Sequence, residues 1–138
     1  MMNGAVKVLC CAVGLLLLVS CAGLLGYGKT EANLMKNVTA FWTAKMNGEW
    51  GAAYDLATEE FKRQVSRVRF VKSANLNIEH FEIEKVTLLD KEDKAEVAVK
   101  YRVGVKAFVF DLTAKDTWVW EKGAWRVDLT PTLKLPGA

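Results

Sequence analysis

Apolar positions recur every three or four residues in the first half of the chain and every second residue in the rest. Leu34, Val38, Phe41, Trp42 and Lys45 share a helical stripe, which predicts a helix over residues 31–47 that Gly48 ends. Ala52, Ala53 and Leu56 mark a second, short helix over residues 50–57. Thr58 reads as the N-cap of a third, because Glu59 and Glu60 follow it where the helix dipole favours acids. Phe61 and Val65 carry that helix on. Ser66 caps a fourth with Val68, Phe70 and Val71, and Asn75 marks the exit.

From Leu76 the period is two. Ile78, His80, Glu82 and Glu84 fall on one face, while Phe81, Ile83 and the residues around Val86 break the alternation; a bent, bulged strand is expected. Asp90 to Asp93 is a polar turn. Ala95, Val97, Val99, Tyr101 and Val103 alternate with Glu96, Ala98, Lys100 and Arg102, the cleanest half-buried strand in the chain. A third strand runs from Phe108 to Trp120, with an interruption expected near Ala114-Lys115. Lys122-Gly123 forms the last hairpin turn. A two-residue loop pairs Trp120 with Trp125 and Trp118 with Val127, all on one face with Leu129. Pro131 and Pro136 bound a tail that cannot continue a central strand. Helices followed by antiparallel strands imply an α+β fold, with the helices on one face of a curved sheet of about four strands.

A different pattern precedes these elements. Met1 to Lys7 carries one positive charge, Val8 to Val19 is apolar and leucine-rich, and Ser20-Cys21-Ala22-Gly23 is small. Such a three-part segment describes an export signal. Leu18-Val19-Ser20-Cys21 resembles the lipobox of bacterial lipoprotein precursors. The resemblance implies cleavage before Cys21, a lipid anchor on Cys21, and a domain held at a membrane surface in the cell envelope, facing the periplasm or the cell exterior. The alternative is an uncleaved anchor helix, because the apolar run from Ala5 to Leu25 approaches the roughly 20 residues that span a bilayer. On the lipoprotein reading residues 1–20 are signal peptide and residues 21–30 are the lipidated cysteine with a short tether containing Gly23, Gly26 and Gly28. Residues 31–130 form the domain and residues 131–138 the C-terminal tail.

Cleavage removes residues 1–20 of 138 and leaves 118, enough for one core and too few for two. It also removes Cys10 and Cys11. With Cys21 acylated, no thiol remains for a disulfide, a metal or a nucleophile, so the core must stabilise the domain. Loss of Lys7 lowers the formal charge from +3 to +2, which makes no electrostatic case for nucleic acid.

Phe41-Trp42, the run Asn47-Gly48-Glu49-Trp50-Gly51-Ala52-Ala53-Tyr54-Asp55-Leu56, the segment Thr58-Glu59-Glu60-Phe61-Lys62 with Ser66 and Phe70, and the hairpin from Trp118 to Val127 together resemble the nuclear transport factor two-like superfamily, the cystatin-like α+β cone. The resemblance runs from about Ala32 to Leu129. It implies a cone that opens between the long helix and the concave sheet face. The superfamily includes enzymes, small-ligand binders, adaptor domains and assembly components, so the fold does not select a function. Dimers through the sheet face are common in it, and a homodimer is compatible with this chain.

Enzymes resembling ketosteroid isomerase place an acid in the mouth of the cone, with a tyrosine or a protonated acid as oxyanion donor. Asp55, Asp111, Asp116, Tyr54 and Tyr101 are the residues available, but they match no isomerase motif. Asp116 reads as a turn acid. His80 is the only histidine, which argues against a transition-metal site and for an edge-strand residue. Asn37-Val38-Thr39 matches a glycosylation acceptor by chance. Trp42, Tyr54, Tyr101, Phe110 and Trp118 are the candidate lining of a pocket in the cone, the default ligand site of such a fold. The expected function is therefore non-enzymatic and needs no cofactor. It is either binding of a small apolar ligand in the cone or service as an adaptor to an envelope protein. The alternative is a small isomerase-like or dehydratase-like enzyme.

Overall fold

The structure, a computed structural model, describes residues 28–134 apart from Asp90 and Glu92. The signal segment, Cys21, the tether up to residue 27 and Pro136 lie outside the described residues. Thr30 opens α1 (Glu31–Met46): its side chain accepts from the Asn33 N–H, Glu31 lies in the first turn and Lys45 in the last. Three short helices follow, α2 (Trp50–Asp55), α3 (Glu59–Gln64) and α4 (Arg67–Ser73). Thr58 and Ser66 cap α3 and α4 as the sequence predicts, accepting from the Phe61 and Arg69 N–H groups. Helices this short are not stable alone. They are held by packing: the Tyr54 ring lies 6.2 Å from Phe61 and 5.6 Å from Phe70, and its hydroxyl donates to the Val65 carbonyl at 2.7 Å.

The strands β1 (Ile78–Leu89), β2 (Lys94–Val105), β3 (Phe108–Glu121) and β4 (Ala124–Asp128) form an antiparallel meander in chain order. The fold is α+β, with the helices on a curved four-stranded sheet. The expected irregularity in β1 appears as register shifts at Ile78/His80 and Ile83/Lys85. They set Phe81, Ile83, Val86 and Leu88 opposite Tyr101, Val99, Val97 and Ala95, so a sequence that does not alternate still gives β1 one apolar face. The hairpin register is the expected one, with Trp120 opposite Trp125 and Trp118 opposite Val127. Lys122 and Gly123 both take positive φ (48° and 77°), as a two-residue primed turn requires.

The interruption expected near Ala114-Lys115 is absent. β3 runs unbroken beside β2, with Ala114 opposite Val99 and Lys115 opposite Ala98. The alternation survives because Ala114 faces the helices and Lys115 faces solvent. Beyond β4, Thr130–Lys134 forms a 3-10 turn where a bare tail is expected, started by Asp128 accepting from the Thr130 N–H.

Two edges matter. The outer edge of β4 is covered, because Thr58 N–H donates to the Val127 carbonyl and Val127 N–H to the Leu56 carbonyl, each at 3.0 Å. Among the described residues β4 pairs only with Thr117–Glu121, so Phe108–Asp116 has a described strand on its β2 side alone.

The core lies between α1 and the concave face. Trp42, Trp118 and Trp125 are its largest fully buried side chains, and Phe41 sits edge-on to Trp42 and Trp118 at 6.2 and 5.9 Å. Trp42 Nε1 donates to Asp116 Oδ2 at 2.7 Å and Trp125 Nε1 to the Thr30 carbonyl at 3.2 Å, whereas Trp118 Nε1 has no acceptor among the described residues. Trp42→Phe strips a half-buried acid of its donor; Trp118→Phe removes an unmatched donor. Urea denaturation is expected to show Trp42→Phe costing about 1–3 kcal/mol more than Trp118→Phe.

Candidate functional site

Along the concave face, β3 contributes Trp118, Asp116, Ala114, Leu112, Phe110 and Phe108 in that order, opposite Ala95, Val97, Val99, Tyr101, Val103 and Val105 of β2. α1 covers the first part of this row. Near its C-terminal end Trp42 lies 5.0 Å from Tyr101 and 6.0 Å from Phe81, ring to ring, and Lys45 Nζ stands 3.7 Å over the Trp42 ring. Trp42 and Tyr101 therefore pack against each other.

The other three candidate lining residues do not join them. Trp118 is wholly buried behind Phe41. Tyr54 points among Phe61 and Phe70 in the helical layer. Phe110 lies beyond the end of α1 and is half exposed. The expected five-residue pocket is a filled core at one end and open surface at the other.

The acids also separate. Asp55 is exposed and pairs with Arg67 at 3.2 Å. Asp111 is on the outer face, where Arg102 grips both oxygens at 2.8 and 3.2 Å and holds its carboxyl below the usual range. Asp116 is not a turn acid but a strand residue on the concave face, opposite Val97. Burial pushes its carboxyl above the usual range, and the Trp42 hydrogen bond and the Lys45 charge oppose that rise. Burial also pushes the Tyr101 hydroxyl up, with the Asp116 charge adding to it. Lys45 is pushed down to about 8 by burial, against the pull of Asp116.

A partly buried acid beside a partly buried amine is the pattern of a reactive centre, but a substrate also needs space. Three hollows of the described residues are lined by neither Trp42 nor Asp116. One, of about 170 Å³, is lined by Tyr101 and by polar and charged residues of the outer face, His80, Glu82, Lys100, Arg102 and Asp111. Another is an open groove between α1 and α2. His80 is an exposed residue of the edge strand β1, and Asn37 donates to the Trp125 carbonyl at 2.9 Å, a structural use of the chance acceptor motif.

The feature the sequence reading missed is the hairpin joining β2 and β3. Val105, Phe108, Val109, Phe110 and Leu112 are between 45 and 68 % exposed. The signal was Phe108-Val109-Phe110: three consecutive apolar residues in a strand make both faces apolar, which a half-buried strand does not need.

Lys45 gives a pH signature. Its folded value near 8 lies below the unfolded 10.5, so between these pH values the unfolded chain holds a proton the folded chain has released. This group's contribution to stability therefore rises from pH 8 to 10.5. Lys45→Met is expected to raise the melting temperature at pH 7 and to lose that rise, read by thermal melts of variant and parent across the range.

No family model matches this sequence, and no curated protein matches it. A solved structure shares its fold. A SEC-C motif-containing protein from Rhodopseudomonas palustris is similar with a TM-score of 0.52 at 9 % identity, over 63 % of this chain and 68 % of that one. A protein designed de novo in a series with diverse pocket structures has a TM-score of 0.44 at 15 % identity, over 69 % and 95 %. At such identities the first likeness concerns fold alone.

Proposed function

We propose that this chain is a membrane-anchored lipoprotein whose nuclear transport factor two-like domain acts outside the cytoplasm by binding protein, as an adaptor in an envelope complex. One observation carries the choice of adaptor over ligand carrier or enzyme: the concave face is filled where α1 covers it, while the largest exposed apolar side chains gather on the β2–β3 hairpin. A carrier needs an empty concave site. An isomerase-like enzyme needs its raised acid open to substrate, and Asp116 is instead closed in by Trp42 and Lys45. Contiguous exposed apolar surface marks association in a soluble domain. The lipobox supports the anchor, because two or three acyl chains hold a protein at a bilayer where one does not.

The test is native mass spectrometry on the protein released gently from membranes of the exporting cell. The expected mass is that of residues 21–138 plus the Cys21 lipid, with no small molecule. A reproducible extra mass below about 1 kDa overturns the adaptor in favour of a carrier. Cys21→Ser is expected to accumulate as uncleaved precursor; a wild-type chain that is itself never cleaved replaces the lipid with an anchor helix. Asp116→Asn keeps an acceptor for Trp42 and is expected to leave function intact; loss of function in a folded domain points to the enzyme.

A further inference from the structure

We propose that the free edge of β3 pairs antiparallel with the same edge of a second copy of this chain. The proposal rests on the adaptor reading and names a partner for its surface. In the last hairpin Glu121 and Ala124 flank a two-residue turn, so the backbone groups of Glu121, Val119 and Thr117 point to β4. Alternate residues point the other way, as Trp120 N–H does in donating to the Asp93 carbonyl at 2.8 Å. Continued along β3, the same alternation turns the N–H and C=O of Val109, Asp111, Thr113 and Lys115 toward the side where no strand lies.

The two open edges of the sheet differ in how they are guarded. β1 carries Glu79, His80, Glu82, Glu84 and Lys85 and two register shifts, devices that block pairing. Phe108–Asp116 has no proline and a regular register, its tip is apolar, and its Asp111 charge is tied back by Arg102. An edge with an unbroken register and an apolar tip invites another strand.

Its length selects a self-complementary register. The free stretch lies between the β2–β3 turn and the point where Thr117 meets Asp128, and its centre is Leu112. Pairing about that centre sets Leu112 against the second copy's Leu112 and Phe110 against the second copy's Ala114, large on small. Val109 meets the aliphatic stem of the second copy's Lys115. Centring on Thr113 would oppose Asp111 to Lys115, but it drives the second copy's Val109 into the place Asp128 holds. Centring on Asp111 opposes two carboxylates. One two-fold register therefore uses the whole edge, as an isologous contact requires. A single strand edge buries less than the roughly 1,200 Å² of a standard interface, so the pairing is weak in dilute solution. Confinement to one membrane raises the local concentration toward the millimolar range.

The experiment uses the full chain in membranes of the expressing cell. Leu112 falls at a non-hydrogen-bonded pair, where Cα atoms about 4.5 Å apart suit a disulfide. Under mild oxidation Leu112→Cys is expected to shift from the chain mass to twice that mass, above the background of the wild type and of Lys106→Cys at the turn. Thr113→Pro removes a donor facing the free edge and no bond to β2. Added to Leu112→Cys, it is expected to abolish the doubled species and to leave the circular dichroism of the purified protein unchanged. Cross-linking of Leu112→Cys no greater than that of Lys106→Cys overturns the proposal, as does a doubled species that survives Thr113→Pro. An adduct of some other mass overturns the second copy yet leaves the adaptor standing. The adaptor itself falls to a small molecule found in the native mass spectrum or to loss of function in a folded Asp116→Asn variant.

Discussion

Trp42 is the side chain on which the rest of the structure depends. From one position on α1 its ring meets Phe81 of β1 and Tyr101 of β2, its N–H holds Asp116 of β3, and its face carries the Lys45 ammonium. A buried tryptophan removes about 150–250 Å² from water, and the indole donor lets this one sit over an acid without orphaning it. The contact locks the helix to three strands at once. A raised carboxyl and a lowered amine gather there, and both shifts follow from burial around the tryptophan.

The concave face is filled where α1 covers it, and β3 shows how the rest of the surface is divided. Its last residues are capped by β4 and α1, and Trp118 is fully enclosed. Its first residues extend past both. The same strand is thus core at one end and open edge at the other, because β4 is only five residues long and α1 ends at Met46. Lengthening either element would cover the hairpin. Its exposure is a property of element lengths and involves no unusual residue.

Those lengths also explain what the sequence could reveal. Caps at Thr30, Thr58 and Ser66, the Lys122-Gly123 turn and the pairing of Trp118 with Val127 are decided within a few residues, and a local reading finds them. The continuity of β3 was misread because Ala114 and Lys115 are poor strand formers in isolation, although their alternation fits the two faces. Asp116 was misread because an acid beside a predicted break looks like a turn residue; only the facing helix makes it a half-buried partner of Trp42. Period-two spacing does place Trp118 and Phe110 on one face. It carries no information about where α1 stops above them, so it could not tell a filled core from an exposed tip.

The start of the described chain lies at the end of the sheet remote from the Phe108 hairpin: Lys29 meets Asp93 at 2.5 Å, and Thr30 accepts from Trp125. β2 spans about 40 Å between those ends, whereas the seven steps from Cys21 to Gly28 reach at most about 25 Å. An antiparallel pair across β3 has its two-fold axis perpendicular to the sheet, so its N-termini emerge far apart, on the helical side of both copies. If the proposed anchor on Cys21 and the proposed pairing both hold, two lipids in one leaflet set that axis along the membrane normal, the assembly lies flat with its helices toward the headgroups, and the opposite face, with Lys100, Arg102 and Lys115, turns to the aqueous side.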